Sequence, residues 1–130
     1  MSFERVSSQT VWETKVSYCR ALRAGNLIYL SGTTSLDESG GVHAPGDAEA
    51  QARRCLKLIE RALVKLGADR TSIVRTRMFV TDISRWTEYG RAHGDFFANC
   101  PPTTSMIEVK SLIDPAMLIE IEAEAVVGPG

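Results

Sequence analysis

Glutamate recurs at every second position within LIEIEAEAVV, residues 118–127, and this alternation constrains the fold more than any other stretch of the chain. Successive side chains of a β-strand point to opposite faces of the sheet, so the segment is predicted to be a strand with one buried face. The buried row would consist of Ile119, Ile121, Ala123, Ala125 and Val127. The opposite row of Glu120, Glu122 and Glu124 is either the solvated side of a sheet or contains a carboxylate that works in a site.

The length and composition are those of one soluble globular domain, which we expect to cover residues 1–130. A formal net charge of −1 offers no basic surface for a phosphate backbone, so no nucleic-acid partner is expected. The chain has neither a signal-peptide pattern nor an apolar run of the roughly 20 residues that would cross a bilayer, so no membrane partner is expected. Three widely spaced cysteines, without Cys-x-x-Cys spacing, predict free thiols, no metal centre and a cytoplasmic location.

The first half of the chain predicts a hairpin followed by a helix. Residues 16–36 form two β-rich runs that turn at Ala24-Gly25-Asn26, and the glycine-rich stretch up to Asp47 predicts a loop. Asp47 can cap a helix that Gly67 ends, with Glu49 and Arg53 as an ion pair on its outer face. The apolar stripe of this helix has spacings of three and four: Ala48, Ala52, Cys55, Ile59, Ala62 and Leu66.

The second half predicts a strand, a helix and two more strands. Residues 72–82 read as a strand whose inward row would be Val74, Thr76, Met78 and Val80. A helix from Ser84 to about Ala98, with Trp86, Tyr89, His93 and Phe96 or Phe97 on one stripe, would end before Pro101-Pro102. Strands over 103–110 and 117–127 would follow, joined by SLIDPA.

This order of elements is typical of an α+β fold with both helices on one face of the sheet. The glutamate row of residues 118–127 would then point away from the helices. The uncovered face would carry Phe79 and Met106 among its charges, which suggests that another subunit covers it.

Four stretches resemble the Rid family of reactive-intermediate deaminases, also called YjgF or L-PSP proteins. AGNLIYLSGTTSLDESGG is similar to the second and third strands of that family, and ARRCLKLIERALVKLGAD to its first helix. VRTRMFVTDISRW resembles the central strand and turn, and PPTTSMIEVKSLIDPAMLIEIEAEAV the C-terminal hairpin. Together they cover the chain from about Val16 to Val127.

The resemblance implies a chorismate-mutase-like α+β fold with a mixed, mostly antiparallel six-stranded sheet and two helices on one face. It also implies a homotrimer whose small-molecule ligand binds in clefts between neighbouring subunits. Deaminases of this family hydrolyse enamines and imines, such as 2-aminoacrylate and its 2-imino acid tautomer, to a keto acid and ammonia. They need no metal or organic cofactor.

Carried over by position, the resemblance gives Tyr18 the role of closing the cleft and gives the backbone of Ser31 and Gly32 that of facing the ligand. It makes Glu120 the residue that positions the attacking water. The deaminases also hold the substrate carboxylate with the arginine of a Pro-x-Arg-Ser signature. Here that stretch is Pro102-Thr103-Thr104-Ser105, so Thr104 stands in the place of the arginine.

Loss of this arginine changes the expected ligand. Charged hydrogen bonds contribute about 1.5–3 kcal/mol and neutral ones about 0.5–1.5 kcal/mol, so recognition of a small 2-imino acid could weaken a hundredfold. Since the sequence indicates no cation beside Glu120, we expect a ligand that is neutral, cationic or larger than those acids. Arg77 is either a displaced cation or, as we favour, a cross-strand partner of the glutamates.

Other residues of the implied site keep two interpretations. His93, which with Gly90 replaces the tyrosine and asparagine of the deaminases, either packs in the helix or is the base nearest the cleft. Tyr18 would lie on a strand, where it either packs or binds substrate. The role of Thr104 depends on the resemblance alone, and Trp12 and Trp86 are interpreted as packing residues.

Three functions follow from these observations. The chain is a cofactor-free hydrolase of a reactive enamine, imine or related small molecule, or a non-catalytic small-molecule-binding trimer. A ribonuclease or translation inhibitor is the third, which the near-neutral charge disfavours.

Overall fold

The computed structural model describes residues 2–128 and contains six strands, three α-helices and two 3-10 turns. The strands are β1 (Glu4–Val6), β2 (Ala21–Ala24), β3 (Leu27–Thr34), β4 (Ile73–Val80), β5 (Thr103–Glu108) and β6 (Ile119–Val126). The helices are α1 (Val11–Val16), α2 (Ala48–Lys65) and α3 (Trp86–Phe96), and the 3-10 turns span Arg70–Ser72 and Ile83–Arg85. The short elements β1 and α1 are absent from the sequence prediction.

The strands form one sheet in the order β1-β2-β3-β6-β4-β5, and every pair is antiparallel except β4 with β5. The mixed, mostly antiparallel six-stranded sheet is therefore confirmed. The predicted C-terminal hairpin is wrong, because β5 pairs with β4 at the edge of the sheet while β6 lies between β3 and β4. The central position of β6 places its apolar row under the helices, and α3 forms the crossover that parallel pairing of β4 and β5 needs.

The alternation in β6 fixes which side of the sheet becomes the core. Ile119, Ile121, Ala123 and Ala125 are buried against the helices. A one-residue slip of register would put three glutamates there instead, and each buried isoleucine contributes about 1.5–3 kcal/mol in its present place. The predicted stripe of α2 is buried throughout, from Ala48 to Leu66.

The predicted ends of α2 are also confirmed. The Asp47 carboxylate accepts a hydrogen bond from the Ala50 N–H at 3.0 Å, and Gly67 adopts a φ of +83°. The Arg53 guanidinium lies 2.8 Å from Glu49 one turn away. In the described residues no helix is long and apolar enough to cross a membrane.

Several predicted side-chain positions are wrong. A bulge between Ile73 and Arg75 turns Val74 outward and buries Ile73 in its place. Trp86 is exposed at the start of α3, and Trp12 is also exposed, so neither is a core residue. Tyr18 lies in the connection between α1 and β2 and not on a strand.

The face of the sheet opposite α2 and α3 differs from the prediction at one position. Met106 pairs in register with Met78 and packs against the core, so the exposed apolar residues of this face include Ile107 and Tyr29 but not Met106. Arg77 Nε lies 3.0 Å from Glu122 Oε1, and Arg77 Nη2 lies 3.4 Å from Glu124. This confirms the interpretation of Arg77 as a cross-strand partner of the glutamates.

Candidate functional site

A cleft of about 840 Å³ lies between α1, the loop after β3, the C-terminal half of α2 and the start of β6. Its polar lining includes Tyr18, Arg20, Gly32, Thr33 and Glu120. Three of the residues that the sequence suggests for a site, Tyr18, Gly32 and Glu120, therefore meet in one place within a single chain. The volume is in the range of cavities that enclose small organic ligands.

Gly32 makes room for the Glu120 carboxyl. A Cβ atom built on Gly32 would lie 2.8 Å from both Cδ and Oε1 of Glu120, closer than real contacts allow. The register of β3 against β6 shifts between Leu30 and Thr33, so a bulge brings Gly32 to this position. Any larger residue at position 32 would therefore displace the Glu120 carboxyl group.

The environment of Glu120 favours its neutral form. Burial raises the pKa of the Glu120 carboxyl above its usual value, the nearby Glu122 raises it further, and the charge of Arg20 opposes the shift. A carboxylate whose pKa is moved towards neutrality is better suited to accept a proton from water at physiological pH.

Arg20 is the charged member of the cleft's core that the sequence did not suggest as a site residue. Its Nη1 donates to the Gly32 carbonyl at 2.7 Å and to Thr33 Oγ1 at 2.9 Å, and its Nη2 donates to the Tyr18 hydroxyl at 3.4 Å. The expectation that no cation lies beside Glu120 is therefore wrong. The only signal for Arg20 in the sequence is that this arginine directly precedes β2, a strand that begins with an apolar residue.

Glu13 holds Arg20 from the other side. Its Oε2 lies 3.9 Å from Arg20 Nε, and the carboxylate accepts hydrogen bonds from Ser7 and from the backbone and side chain of Ser8. Although burial opposes it, these hydrogen bonds and the Arg20 charge hold the pKa of Glu13 below its usual value. The same carboxylate fixes α1 against the chain that precedes it.

Ser31 lies beside the cleft and not on its floor. Its hydroxyl donates to the Cys19 carbonyl at 2.7 Å, and its N–H donates to the Arg20 carbonyl at 3.0 Å. Ser31 and Tyr18 also line a shallow neighbouring groove. Ser31 therefore joins β3 to the segment that carries Tyr18 and Arg20.

Thr104 and His93 form a separate cluster around Thr76. Thr76 Oγ1 lies 2.7 Å from Thr104 Oγ1 and 2.8 Å from His93 Nε2, and Thr76 is fully buried. Burial lowers the pKa of His93, so the imidazole is neutral at physiological pH. Because Thr104 pairs with Thr76 while Glu120 pairs with Phe79, three residues further along β4, the two site residues point to opposite faces of one sheet.

Within residues 2–128, no three or more histidine, cysteine, aspartate or glutamate side chains come together in a way that could hold a metal ion. What the cleft offers is one carboxyl group of raised pKa, one buried guanidinium and a phenol. This set can bind a polar ligand and transfer protons.

Comparison with known proteins gives consistent matches over nearly the whole chain. The family model described as Endoribonuclease L-PSP matches residues 9–127. The 2-iminobutanoate/2-iminopropanoate deaminase of Rattus norvegicus is 31% identical over 113 residues, which cover 87% of this chain and 82% of that protein.

Two solved structures extend the comparison. Rv2704 of Mycobacterium tuberculosis, described as a member of the YjgF/YER057c/UK114 family, is 45% identical with a TM-score of 0.88, covering 97% of this chain and 100% of that one. The YjgF gene product of E. coli is 32% identical with a TM-score of 0.77, covering 84% and 87% of the two chains.

Proposed function

This chain belongs to the Endoribonuclease L-PSP family, also called YjgF or Rid, and on that premise we propose that it is a cofactor-free hydrolase of a reactive enamine, imine or related small molecule. The observation that carries the proposal is the Glu120 carboxyl group, which lies against Gly32 in the cleft with a raised pKa. The name of the rat relative gives the chemistry to test first, since that protein is an imino-acid deaminase.

The proposed reaction needs only proton transfers around water. Glu120 accepts a proton from a water molecule, whose oxygen bonds to the imine carbon while the electron pair of the C=N bond moves to nitrogen. Glu120 then returns the proton to that nitrogen, which forms a carbinolamine. In the second half, Glu120 takes the carbinolamine hydroxyl proton and passes it to nitrogen, the C–N bond breaks, and a carbonyl compound and ammonia leave. An enamine would first take a proton on carbon and lose one from nitrogen, which converts it to the imine.

The neighbouring residues would position the ligand. Tyr18 would close the cleft, and the backbone of Ser31 and Gly32 would face the ligand from β3. Thr104 and His93 point away from Glu120 in one chain, so they would act only if a neighbouring subunit brought its copies to this cleft. A homotrimer with clefts between subunits would do so, and the exposed Tyr29 and Ile107 on the uncovered sheet face support such an assembly.

The substrate is proposed to differ from a simple small 2-imino acid. Thr104 offers a neutral hydroxyl where the deaminase arginine would stand, and that hydroxyl is already hydrogen-bonded to Thr76. A compact anion would therefore find no strong partner at this position. A cytoplasmic location and independence from cofactors stay predictions of the sequence and its resemblance.

A coupled deaminase assay tests the proposal. An amino-acid oxidase would generate imino acids from several amino acids, with semicarbazide trapping what the protein does not hydrolyse. We expect the protein to lower the amount of trapped product, mainly for amino acids with larger side chains, because the imino acid is hydrolysed before semicarbazide reacts with it. Glu120→Gln should lose this effect. Glu124→Gln is the matched control, because it removes a carboxylate from the same strand, away from the cleft, and should keep activity.

The second candidate is a trimer that binds a small molecule without transforming it. The observation that favours it is the same Thr104–Thr76 hydrogen bond, since the position that would hold the substrate carboxylate is neutral and occupied. Absence of turnover for every substrate, from a folded oligomer, would decide for this candidate. Salt-sensitive RNA binding would instead favour the ribonuclease.

A further inference from the structure

The Arg20 guanidinium has an edge that the protein leaves largely unsatisfied. Arg20 is only 8% exposed, yet its Nε–H has no hydrogen-bond partner among residues 2–128. On the same edge Nη2 makes only the long 3.4 Å bond to the Tyr18 hydroxyl. A buried donor without a partner costs free energy, more so when it is charged, so the arrangement calls for a ligand or a role.

This edge is suited to carboxylates. A guanidinium presents parallel N–H groups that pair with the two oxygens of a carboxylate. The opposite side of Arg20 is committed, since Nη1 holds Gly32 and Thr33. The Nε and Nη2 side is therefore the part of the guanidinium that can still donate hydrogen bonds to an anionic group.

Glu13 only partly satisfies this edge. Among the described residues it is the one carboxylate within 4.0 Å of the guanidinium, and its 3.9 Å distance to Nε is too long for a hydrogen bond. Its oxygens already accept from Ser7, Ser8 and Thr10. Glu13 therefore stabilises the charge of Arg20 without occupying its donors.

The other cations of the cleft are engaged or solvated. Arg54 Nη2 and Arg61 Nη1 lie 3.2 and 2.8 Å from Glu38 Oε1, and Lys65 is exposed at the end of α2. The remaining carboxylate of that loop, Asp37, accepts hydrogen bonds within its own turn. Arg20 is thus the cation of the cleft that is both buried and short of partners.

One wall of the same cleft is apolar and open. Trp12 and Val16, one turn apart on α1, are 37% and 68% exposed, and Ile113 in the loop before β6 is 67% exposed. Side chains of this kind are stabilised by removal from water, at about 25 cal/mol for each Å² of apolar surface. Their continuity with Tyr18 and Arg20 means that one ligand can touch both.

We propose that Arg20 binds a carboxylate of the ligand while Trp12, Val16 and Ile113 hold an apolar body attached to it. The ligand is then an amphipathic organic anion, whose carboxylate replaces the Tyr18 hydroxyl on the free edge of Arg20. The catalytic meaning of this site depends on the function proposed for Glu120, but the binding itself does not. Arg20 would thus supply, from the same chain as Glu120, the cation that is missing at Thr104.

The test compares an acid with its neutral amide. Binding of 4-phenylbutanoate, 4-phenylbutanamide and the short acid butanoate is measured by calorimetry at fixed salt. Wild type should bind the phenyl acid about tenfold to a hundredfold more tightly than the amide, and also more tightly than butanoate. Arg20→Gln should lose the preference for the acid, and Trp12→Ala should weaken the phenyl acid and the amide together.

Arg61→Gln is the matched control, because it removes a cleft guanidinium that is paired with Glu38. It should leave the preference intact. If Arg20→Gln does not fold, Arg20→Lys keeps the charge without the planar fork and should retain only part of the preference. Equal binding of acid and amide by wild type, undetectable binding of the phenyl acid, or an equal effect of Arg61→Gln would each overturn the inference.

The outcome separates this inference from the proposed function. Acid binding that depends on Arg20 without any imine turnover would reject only the hydrolase. Turnover that is lost in Glu120→Gln, together with indifference to the acid group, would reject only the role of Arg20.

Discussion

The cleft around Glu120 and the cluster around Thr76 both contain buried polar groups, yet these groups are stabilised in different ways. The cleft combines charges with an unsatisfied donor, and burial and Glu122 raise the pKa of its central carboxyl. The Thr76 cluster is neutral, since its hydroxyl touches both Thr104 and an imidazole whose pKa burial lowers. Incomplete satisfaction is typical of a place that awaits a ligand, and complete satisfaction of a place that stabilises the fold.

The largest effect that should separate the two regions is that of Gly32→Ala on the cleft. The new Cβ would displace the Glu120 carboxyl, and a displacement of about 1 Å at a reacting group can cost roughly a hundredfold in rate. Stability should change little, because the obstructing atoms belong to a flexible side chain that can move. Turnover in the coupled assay and urea unfolding measure the two quantities.

Gly94→Ala is the matched control for that substitution. Nothing lies within 4 Å of a Cβ at Gly94, which is exposed on α3. It should keep full activity and gain up to about 1 kcal/mol from helix propensity. Equal loss of activity in both variants would show that Gly32 has no special relation to Glu120.

Thr76→Val should give the reverse pattern, with its main effect on stability. Valine has the shape of threonine but leaves the buried Nε2 of His93 without its partner, at a cost of about 1–3 kcal/mol. The urea midpoint should fall at an unchanged slope. Thr103→Val removes an exposed hydroxyl on β5 and should have a much smaller effect, so an equal loss in the two variants would contradict the proposed role of the cluster.

The two regions should also respond to pH with opposite signs. His93 has a lowered pKa in the folded state, so its contribution to stability is present above pH 6.5 and is lost as the pH falls and the unfolded chain takes up a proton. Glu120 has a raised pKa, so its contribution is present below its usual value of 4.5 and is lost as the pH rises through the folded pKa. The test is urea unfolding of His93→Gln and Glu120→Gln across pH 4–8. Each variant should lose one of the two slopes in the free energy of unfolding plotted against pH. Unchanged slopes would reject the assignment.

The sequence predicts the elements whose signals are local. The buried row of β6 and the stripe of α2 recur at the strand and helix periods, and both are confirmed, as are the Asp47 cap and the Gly67 end. Periodicity succeeds here because burial of each element depends mainly on its own residues.

The errors arise where distant segments decide. Val74 points outward because of a bulge against β6, and Met106 points inward because β5 pairs in parallel with β4. Neither pairing can be recognised from the sequence of the strand itself. A sequence pattern therefore shows which residues of a strand share a face. It does not show which face a bulge or a pairing partner turns towards the core.

The site shows the same division. Resemblance suggests Tyr18, Gly32 and Glu120 as site residues, and the fold brings these three together in one cleft. The resemblance does not include Arg20, because the role of this residue comes from contacts with Gly32 and Thr33, which lie more than ten residues away. A lone arginine gives no pattern, and only the fold shows that it is buried.

The smallest expected effect concerns an arginine that resembles Arg20 only in having carboxylate partners. Arg53 lies 2.8 Å from Glu49 and 2.7 Å from Asp95, but on the exposed side of α2 and α3. Water and salt screen such pairs, so Arg53→Ala should leave the urea midpoint nearly unchanged, and any difference should vanish at high salt. Arg20→Gln should destabilise far more and without salt dependence, because Glu13 would remain buried without its cation. If the two variants were equally stable, burial would not set the importance of an arginine in this fold, and the case for Arg20 as the special cation of the cleft would fail with it.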